Sequence, residues 1–294
     1  MSEAATVSNP ALNPQQTRTN FDRFALLAAP GLIYLAAIYA LPLVLLLIKS
    51  FSGPQGGFSL AGYVEFFGDP FHLNILWRTV RVAFLTTLLA LLLAYPTAFA
   101  LARATGWVQT VILTAMVLPL AVGVIVKAFA WSILFRSDGA LNKTLMALQI
   151  TDSPIRLLYT EPALIIGAAN VFLPFMVLPI YAVVRQLDRH LPDAAASLGA
   201  GPFFRFFRVT APLTMPGVIA GSAFVFSMAV SMYVIPSLIV GERNQTVSML
   251  IARSFLFLRD EQLGSSMSAV LLLIAVGVVL LSSWLVRRAA GAGR

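Results

Sequence analysis

The chain has 294 residues, of which 59% are hydrophobic and 11% are charged, and its mean hydropathy is +0.87. This composition excludes a soluble domain of this length and predicts an integral membrane protein. The formal net charge of +8 does not indicate a nucleic-acid partner, because the basic residues stand at the edges of apolar runs and form no single stripe. The chain has no cysteine, which excludes disulfides and thiolate chemistry.

Residues 1–23 are predicted to be a disordered cytoplasmic tail. Up to residue 20 they are rich in Asn, Gln, Thr and Pro, with no periodicity that would bury a face. The apolar stretch after Arg23 is longer than the hydrophobic part of a signal peptide and lacks a clear small-residue cleavage site. We therefore interpret that stretch as an uncleaved first span.

Six apolar stretches predict membrane-spanning helices, so residues 24–294 are interpreted as one all-α transmembrane domain. A helix crosses roughly 30 Å of hydrocarbon with about 20 apolar residues. The stretches of this length are 24–48, 80–102, 109–135, 162–184, 216–240 and 266–286. The outer loops near 49–79, 136–161 and 241–265 are each long enough to hold short surface helices.

The lysines and arginines of the loops are almost evenly divided between the two sides of the membrane. With the tail inside, ten fall on the cytoplasmic side and nine on the outer side. Arg287 and Arg288, directly after the last span, are the best single indicator of a cytoplasmic end. Because six spans place both ends on one side, we expect both termini in the cytoplasm.

The loop at 185–215, between the fourth and fifth predicted spans, is punctuated by residues that start and stop helices. Pro192 and Asp193 suit a first helical turn, and Gly199 suits a left-handed stop. A second short helix is predicted for "FFRFFRVT", with Pro212 and Pro216 blocking its continuation into the next span. Two short helices would then form an elbow.

The second helix of this elbow combines exposed aromatic rings with guanidinium groups, and two interpretations remain open. Aromatic residues and arginine are enriched in protein interfaces. An amphipathic helix resting on lipid headgroups would have the same composition. The small-sided first helix, which ends in a glycine, favours a protein partner. The residues concerned are Phe203, Phe204, Arg205, Phe206, Phe207 and Arg208.

Residues 193–221, "DAAASLGAGPFFRFFRVTAPLTMPGVIAG", resemble the EAA loop of permease subunits from binding-protein-dependent ABC importers. The positions in register are Asp193, Ala194, Ala195, Gly199, Pro212, Pro216 and Gly217. Asp193 replaces the usual Glu, and Ala211 replaces the usual Leu before Pro212. The resemblance extends from about Pro30 to Trp284 and is closest to the polyamine branch, where the extra first span is similar to the first of two paired permeases.

The resemblance implies a type I importer in the inner membrane. It implies a second permease, two ATPase subunits beneath the pair, and a soluble binding protein in the periplasm. ATP and Mg would be bound by the ATPase, with no cofactor in this chain. The loop would be the coupling helix that docks in a cleft of the ATPase, through Asp193, Ala194, Ala195, Gly199, Phe203, Phe204, Arg205, Phe207 and Arg208.

The sequence contains no motif that would support catalysis. No lysine follows a glycine, which excludes a GxxxxGK[ST] phosphate loop. His72 and His190 lie on predicted opposite sides of the membrane, and neither belongs to a ligand cluster. No serine has a neighbouring histidine and acid that could form a relay. We therefore expect a transport subunit and not an enzyme.

A few polar or aromatic residues within the spans are candidates for a solute pathway. Lys127 is the one clear charge in a span; its ammonium either snorkels outward, contacts another helix or meets solute. Gly123, Lys127 and Trp131 share a helix face, which packing would also explain. Serines in membrane helices often bond to their own backbone. The candidates are Lys127, Trp131, Asn170, Ser227, Met228, Ser231 and Tyr233.

The rival hypothesis is a secondary transporter or channel that works without an ATPase. Such proteins usually place acids at mid-membrane, and no Asp or Glu lies inside the predicted spans. For the importer, the branch resembled suggests a polyamine, whereas the missing acids leave amino-acid-like compounds, opines and aminophosphonates as alternatives.

Overall fold

The chain folds into helices, as its apolar runs predict. The computed structural model describes residues 14–53, 57–188 and 190–291, and this part contains no strand beyond an isolated antiparallel bridge between Ser52 and Phe58. The helices are α1 (Pro14–Ser50), α2 (Ala61–Gly68), α3 (Pro70–Arg103), α4 (Gly106–Ala121), α5 (Val124–Leu134), α6 (Ala140–Ala147), α7 (Glu161–Gln186), α8 (His190–Ser197), α9 (Pro202–Arg205), α10 (Ala211–Ser231), α11 (Val234–Ile239), α12 (Val247–Arg253) and α13 (Glu261–Gly291).

Five helices of the described chain are long and apolar enough to cross a membrane, and a sixth span results if one bent pair of helices is counted as a single span. The predicted all-α fold is therefore confirmed, with five to six apolar helices of the required length. The helix α1 begins at Pro14, so residues 14–23 of the predicted disordered tail are helical. Proline suits a first helical position because its missing N–H has no partner there. Residues 1–13 lie outside the described part of the chain.

The third span, predicted as one helix over 109–135, is broken. The helices α4 and α5 meet at 103° across Val122 and Gly123. Pro119 lies in the last turn of α4, where its ring and missing N–H weaken the helix. A Cβ at Gly123 would meet nothing within 4 Å, so no helix packs closely against the face predicted for Gly123, Lys127 and Trp131 at this point.

The fifth span differs from the predicted 216–240 at both ends. Pro212 and Pro216 do not stop the elbow helix, because one helix continues from Pro202 to Ser231. A π-helical turn over Phe206–Thr210 shifts the hydrogen-bond register just before Pro212. Membrane helices tolerate proline where neighbouring groups satisfy the freed backbone. At its other end the span stops at Ser231, and α11 follows as a separate short helix.

Helices α3, α7, α10 and α13 form the core of the bundle, and α1 packs on the outside against α13. The helices α7 and α10 approach each other closely at Gly217 and Gly221, which stand one turn apart. A Cβ on Gly217 would lie 2.9 Å from the Pro179 carbonyl oxygen, and a Cβ on Gly221 would lie 2.9 Å from the Met176 sulfur. This is a GxxxG contact, in which two small residues let two helix backbones meet.

The bundle has two distinct ends. The elbow end carries α8 and α9, while the short-helix end carries α2, α6 and α12, which lie in the three long loops as predicted, and α11, which falls within the predicted fifth span. Two buried polar contacts hold the short-helix end together. The Thr79 hydroxyl accepts a hydrogen bond from the Val247 N–H at 3.0 Å, which ties the start of α12 to α3. The buried Asn142 amide bonds the Arg136 carbonyl and the backbone of Ile155 at 2.8–3.0 Å.

Candidate functional site

The first helix of the elbow, α8, ends as the sequence predicts. Gly199 has φ +84°, in the left-handed region. Its N–H donates to the Ala196 carbonyl at 2.9 Å, and the Ala200 N–H donates to the Ala195 carbonyl at 3.1 Å. These two bonds form a Schellman motif, which satisfies the last carbonyls of the helix. The turn after α8 therefore has a defined backbone geometry.

The surface of this turn is open. A Cβ at Gly199 would meet nothing within 4 Å. Ala194 is exposed and Ala195 is half-buried. The backbone of Asp193 lies within α8, while its side chain is outside the described residues. Because Gly199 has open surroundings and the neighbouring Leu198 is 88% exposed, the surface of another protein can approach the turn closely.

The second half of the elbow presents large apolar rings to its surroundings. Phe203 is 80% exposed, Phe204 58% and Phe207 64%. The Arg208 guanidinium lies over the Phe204 ring, 5.8 Å from its centre. The half-buried Arg205 has an Nε atom that is buried without a hydrogen-bond partner in the described chain. Exposed rings beside guanidinium groups have the composition of a protein-binding surface.

The elbow is joined to the bundle through Phe206 and Tyr95, which the sequence analysis did not include among the coupling residues. The Phe206 ring meets the Tyr95 ring edge-on at 5.7 Å. The Tyr95 hydroxyl lies 2.9 Å from the Thr214 hydroxyl. Thr214 donates its own hydrogen to the Thr210 carbonyl at 3.0 Å, which leaves Tyr95 as the donor. The one sign of this contact in the sequence is that an aromatic residue, Tyr95, stands beside Pro96 in the second predicted span.

The predicted pathway residues fall into separate places. Trp131 and Asn170 meet where α5 crosses α7, and the Trp131 Nε1–H donates to the Asn170 Oδ1 at 3.2 Å. Trp131 also lies 3.7 Å from the Cβ position of Gly167. Lys127, one turn before Trp131, is half-buried and makes no ion pair or hydrogen bond with the described residues. This group offers an aromatic face, an amide and a cation.

A second group of predicted pathway residues lines an apolar cavity of about 820 Å³ between α1, α10, α12 and α13. Ser227, Met228 and Ser231 belong to this wall. The Ser231 hydroxyl bonds to the Ser227 carbonyl of its own helix at 2.9 Å, the packing role that serine often has in a membrane helix. Tyr233 lies outside both groups, 46% exposed at the start of α11.

Ion pairs at the short-helix end were also missed by the sequence analysis. Glu161, the first residue of α7, pairs with Arg78 at 3.2 Å and with Arg81, both on α3. Lys49 at the end of α1 pairs with Glu261 at the start of α13. The acids at these two helix starts were visible in the sequence, but their partners are on other helices. These pairs join the helix ends opposite the elbow.

Metal-ligand geometry is not found in the described residues, where no three His, Asp or Glu side chains could hold one ion together. His72 is buried against the Phe66 ring, with the ring centres 5.6 Å apart. His190 begins α8 at the elbow end. The two histidines therefore lie at opposite ends of the bundle.

Comparison with known proteins identifies the family. The family described as binding-protein-dependent transport system inner membrane component matches residues 86–290, more than half of the chain. The chain is 34% identical over 227 residues to the spermidine/putrescine transport system permease protein PotB of Escherichia coli (strain K12), covering 77% of this chain and 82% of that protein. It is 34% identical over 234 residues to PotB of Haemophilus influenzae, covering 78% and 82%.

A solved structure shows the same fold. A bacterial ABC transporter involved in the import of the acidic polysaccharide alginate contains a chain that matches with a TM-score of 0.72 at 17% identity, covering 93% of this chain and 99% of that chain. This chain therefore belongs to the family of binding-protein-dependent transport system inner membrane components, has the type I permease fold, and is a permease subunit of an ATP-driven importer whose ATPase is a separate subunit.

Proposed function

We propose that the elbow docks in a cleft of an ATPase subunit and passes its motion to the membrane helices. The observation that carries this proposal is the open turn at Gly199, followed by three exposed phenylalanines. A fixed, small-sided turn fits into a cleft, and exposed aromatic rings supply the apolar contact area that anchors interfaces. The coupling residues are Asp193, Ala194, Ala195, Gly199, Phe203, Phe204, Arg205, Phe207 and Arg208.

In the proposed cycle, ATP and Mg bind to a dimer of ATPase subunits and close it. Closure draws together the elbows of this chain and of a distinct second permease, which switches the pair from inward-facing to outward-facing. A small solute then leaves a periplasmic binding protein docked at the short-helix end, and ATP hydrolysis restores the inward-facing state. Both termini of this chain lie in the cytoplasm in this arrangement.

Lys127, Trp131, Asn170 and Tyr233 are the pathway residues that fit this cycle best. Lys127 and Trp131 lie on α5 of the broken third span, Asn170 faces Trp131 from α7, and Tyr233 lies at the start of α11. The solute is proposed to be a polyamine or an amino-acid-like compound, in keeping with the spermidine/putrescine relatives. The indole face of Trp131 can bind an amine through a cation–π contact. Binding measurements on the cognate binding protein would separate the two solute classes.

Cysteine labelling tests the orientation directly, because the natural chain has no cysteine. Leu198→Cys places a thiol at a residue 88% exposed on the elbow, and Phe58→Cys places one at a residue 79% exposed at the opposite end. A membrane-impermeant maleimide should label Cys at 58 in spheroplasts and Cys at 198 only in inverted vesicles. Labelling of position 198 from outside would reject the proposal.

The same Leu198→Cys variant tests docking. A short thiol-reactive photo-crosslinker at position 198 should capture the ATPase subunit in native membranes. The same reagent on Phe58→Cys is the control and should not capture the ATPase. Capture of lipid alone from position 198 would support the interpretation of the elbow as an amphipathic helix on the membrane surface.

A further inference from the structure

The apolar cavity beside α1 has walls that contain no charged side chain. It is bounded by Leu43 and Leu46 of α1, by one face of α10 that includes Phe224, and by α13 residues that include Leu272 and Ala275. Leu43 and Phe224 are 45% and 53% exposed, so the cavity opens to the surroundings of the bundle. A charged solute that entered this cavity would lose its hydrating water and gain no counter-charge from the walls, which is unfavourable.

Two hydroxyls of the cavity wall are left without partners. Ser227 on α10 and Ser248 on α12 both line the cavity, and their oxygens are buried with no hydrogen-bond partner in the described chain. The other lining serines bond to carbonyls of their own helices, as Ser231 does. A buried hydroxyl without a hydrogen-bond partner destabilises the folded protein, and a ligand with an acceptor oxygen would supply the missing hydrogen bond.

The length of the cavity matches one leaflet of a bilayer. Its wall on α10 runs from Ala220 to Ser231, and its wall on α13 runs from Ser268 to Ser282. At 1.5 Å per residue these walls are about 16 and 21 Å long. One leaflet contributes about 15 Å to the hydrocarbon core. The cavity thus lies along the membrane-spanning part of the bundle, beside a helix whose apolar window is entirely unburied.

We propose that this cavity is a binding site for one acyl chain of a membrane phospholipid, with the ester carbonyl beside Ser248. The apolar walls, the leaflet-like length and the opening to the surroundings of the bundle all fit a hydrocarbon chain. The ester group supplies an acceptor to the unpartnered hydroxyl at the short-helix end. The bound chain fills the space between α1 and the core, where α1 packs mainly on α13. This site is independent of the proposed coupling and solute pathway.

Photolabelling of the wild-type transporter tests the proposal without any mutation. The assembled complex is reconstituted with a phosphatidylethanolamine that carries a diazirine in its acyl chain, and labelled peptides are mapped by mass spectrometry. Label is expected on cavity-lining residues of α10 and α13. An excess of unlabelled phosphatidylethanolamine should compete for the cavity and reduce this label. Label distributed only over exposed faces such as that of Leu273, or label found on the second permease and absent from the cavity peptides, would overturn the proposal.

A matched pair of tryptophan variants then measures occupancy. Ala275→Trp fills the cavity, whereas Leu273→Trp adds the same ring at a residue 68% exposed and outside the cavity. Native mass spectrometry of the complex should show one retained phospholipid for wild type and Leu273→Trp. Retention should fall about tenfold for Ala275→Trp, because the ring displaces the contacts of at least two methylenes.

The same experiment separates the lipid from the transported solute. If the Ala275→Trp complex keeps its phospholipid and shows only a raised KM for solute uptake, the cavity is part of the solute pathway and the proposal fails. Correct assembly of the variant is checked by co-purification of the ATPase and second permease. If Ala275→Trp does not assemble, the photolabelling pattern of the wild type decides.

Discussion

The Tyr95 hydroxyl donates a hydrogen bond to the Thr214 hydroxyl at 2.9 Å, and this bond joins two helices at the base of the elbow. Tyr95 also supports the Phe206 ring on its other side. These two contacts join the base of the elbow to α3. Motion of the elbow must move α10 or break these contacts.

Tyr95→Phe should loosen this attachment while keeping the ring. Loss of one buried hydrogen bond is expected to lower the free energy of unfolding by about 1 kcal/mol. The ATPase of the complex should respond less to solute-loaded binding protein, which an ATPase assay in proteoliposomes measures. Tyr39→Phe is the control, since Tyr39 is 69% exposed on α1. Equal responses in the two variants would show that the Tyr95 bond has no part in coupling.

Gly199→Ala should impair uptake through the backbone and not through a clash. A Cβ there meets nothing, but the left-handed conformation costs a non-glycine residue about 1–2 kcal/mol. The turn is expected to relax to another conformation, which misplaces the docking surface and lowers uptake several-fold. Gly201→Ala is the matched control, because Gly201 has φ −66° and equally open surroundings. Uptake and ATPase activity measured together distinguish uncoupling from loss of the complex.

Gly217→Val should destabilise the bundle itself. The new side chain would overlap the Pro179 carbonyl and the Ile180 backbone of α7, at 2.9 and 3.0 Å from its Cβ. Overpacking of this kind costs typically about 1–3 kcal/mol. A lowered melting temperature in detergent is expected, measured by thermal-shift fluorescence. Gly277→Val, at a membrane glycine whose Cβ would meet nothing within 4 Å, should melt like wild type.

Glu161→Gln should weaken the contact between α3 and α7 at the short-helix end. The carboxylate is mostly buried and pairs with both Arg78 and Arg81, so its removal leaves two guanidinium groups without their counter-charge. A loss of about 1 kcal/mol in stability is expected for this partly exposed pair. The exposed Glu65 provides the control substitution, Glu65→Gln. If salt affects the melting temperature of both variants equally, the ion pairs do not stabilise this end.

Local sequence was sufficient to predict the all-α fold and the end of α8, but not the break in the third span or the two ends of the fifth. An apolar run of sufficient length indicates a membrane span whichever helices it packs against. The left-handed conformation at Gly199 depends on the glycine itself and not on distant contacts. Proline was a poor guide by comparison. Pro174 and Pro179 lie within the unbroken α7, whereas Pro119 lies at the end of a broken helix. The difference depends on what satisfies the freed carbonyl, which the local sequence does not show.

Contacts between distant residues could not be read from the chain. Tyr95 and Thr214 are 119 positions apart, and Trp131 and Asn170 are 39 positions apart. A spacing rule covers neighbours on one helix, but each of these pairs depends on how two helices cross. The predicted pathway residues fall in separate places for the same reason, since α5, α10 and the start of α11 have different neighbours.

The helix that continues from Pro202 to Ser231 makes the second half of the elbow part of a membrane-spanning helix. Its 30 residues span about 45 Å, so a tilt of about 5° at the base sweeps the tip through about 4 Å. A flexible hinge at Pro212 would have absorbed such a tilt before it crossed the bilayer. In the proposed cycle, a small movement of the elbow is carried along this continuous helix into the bundle.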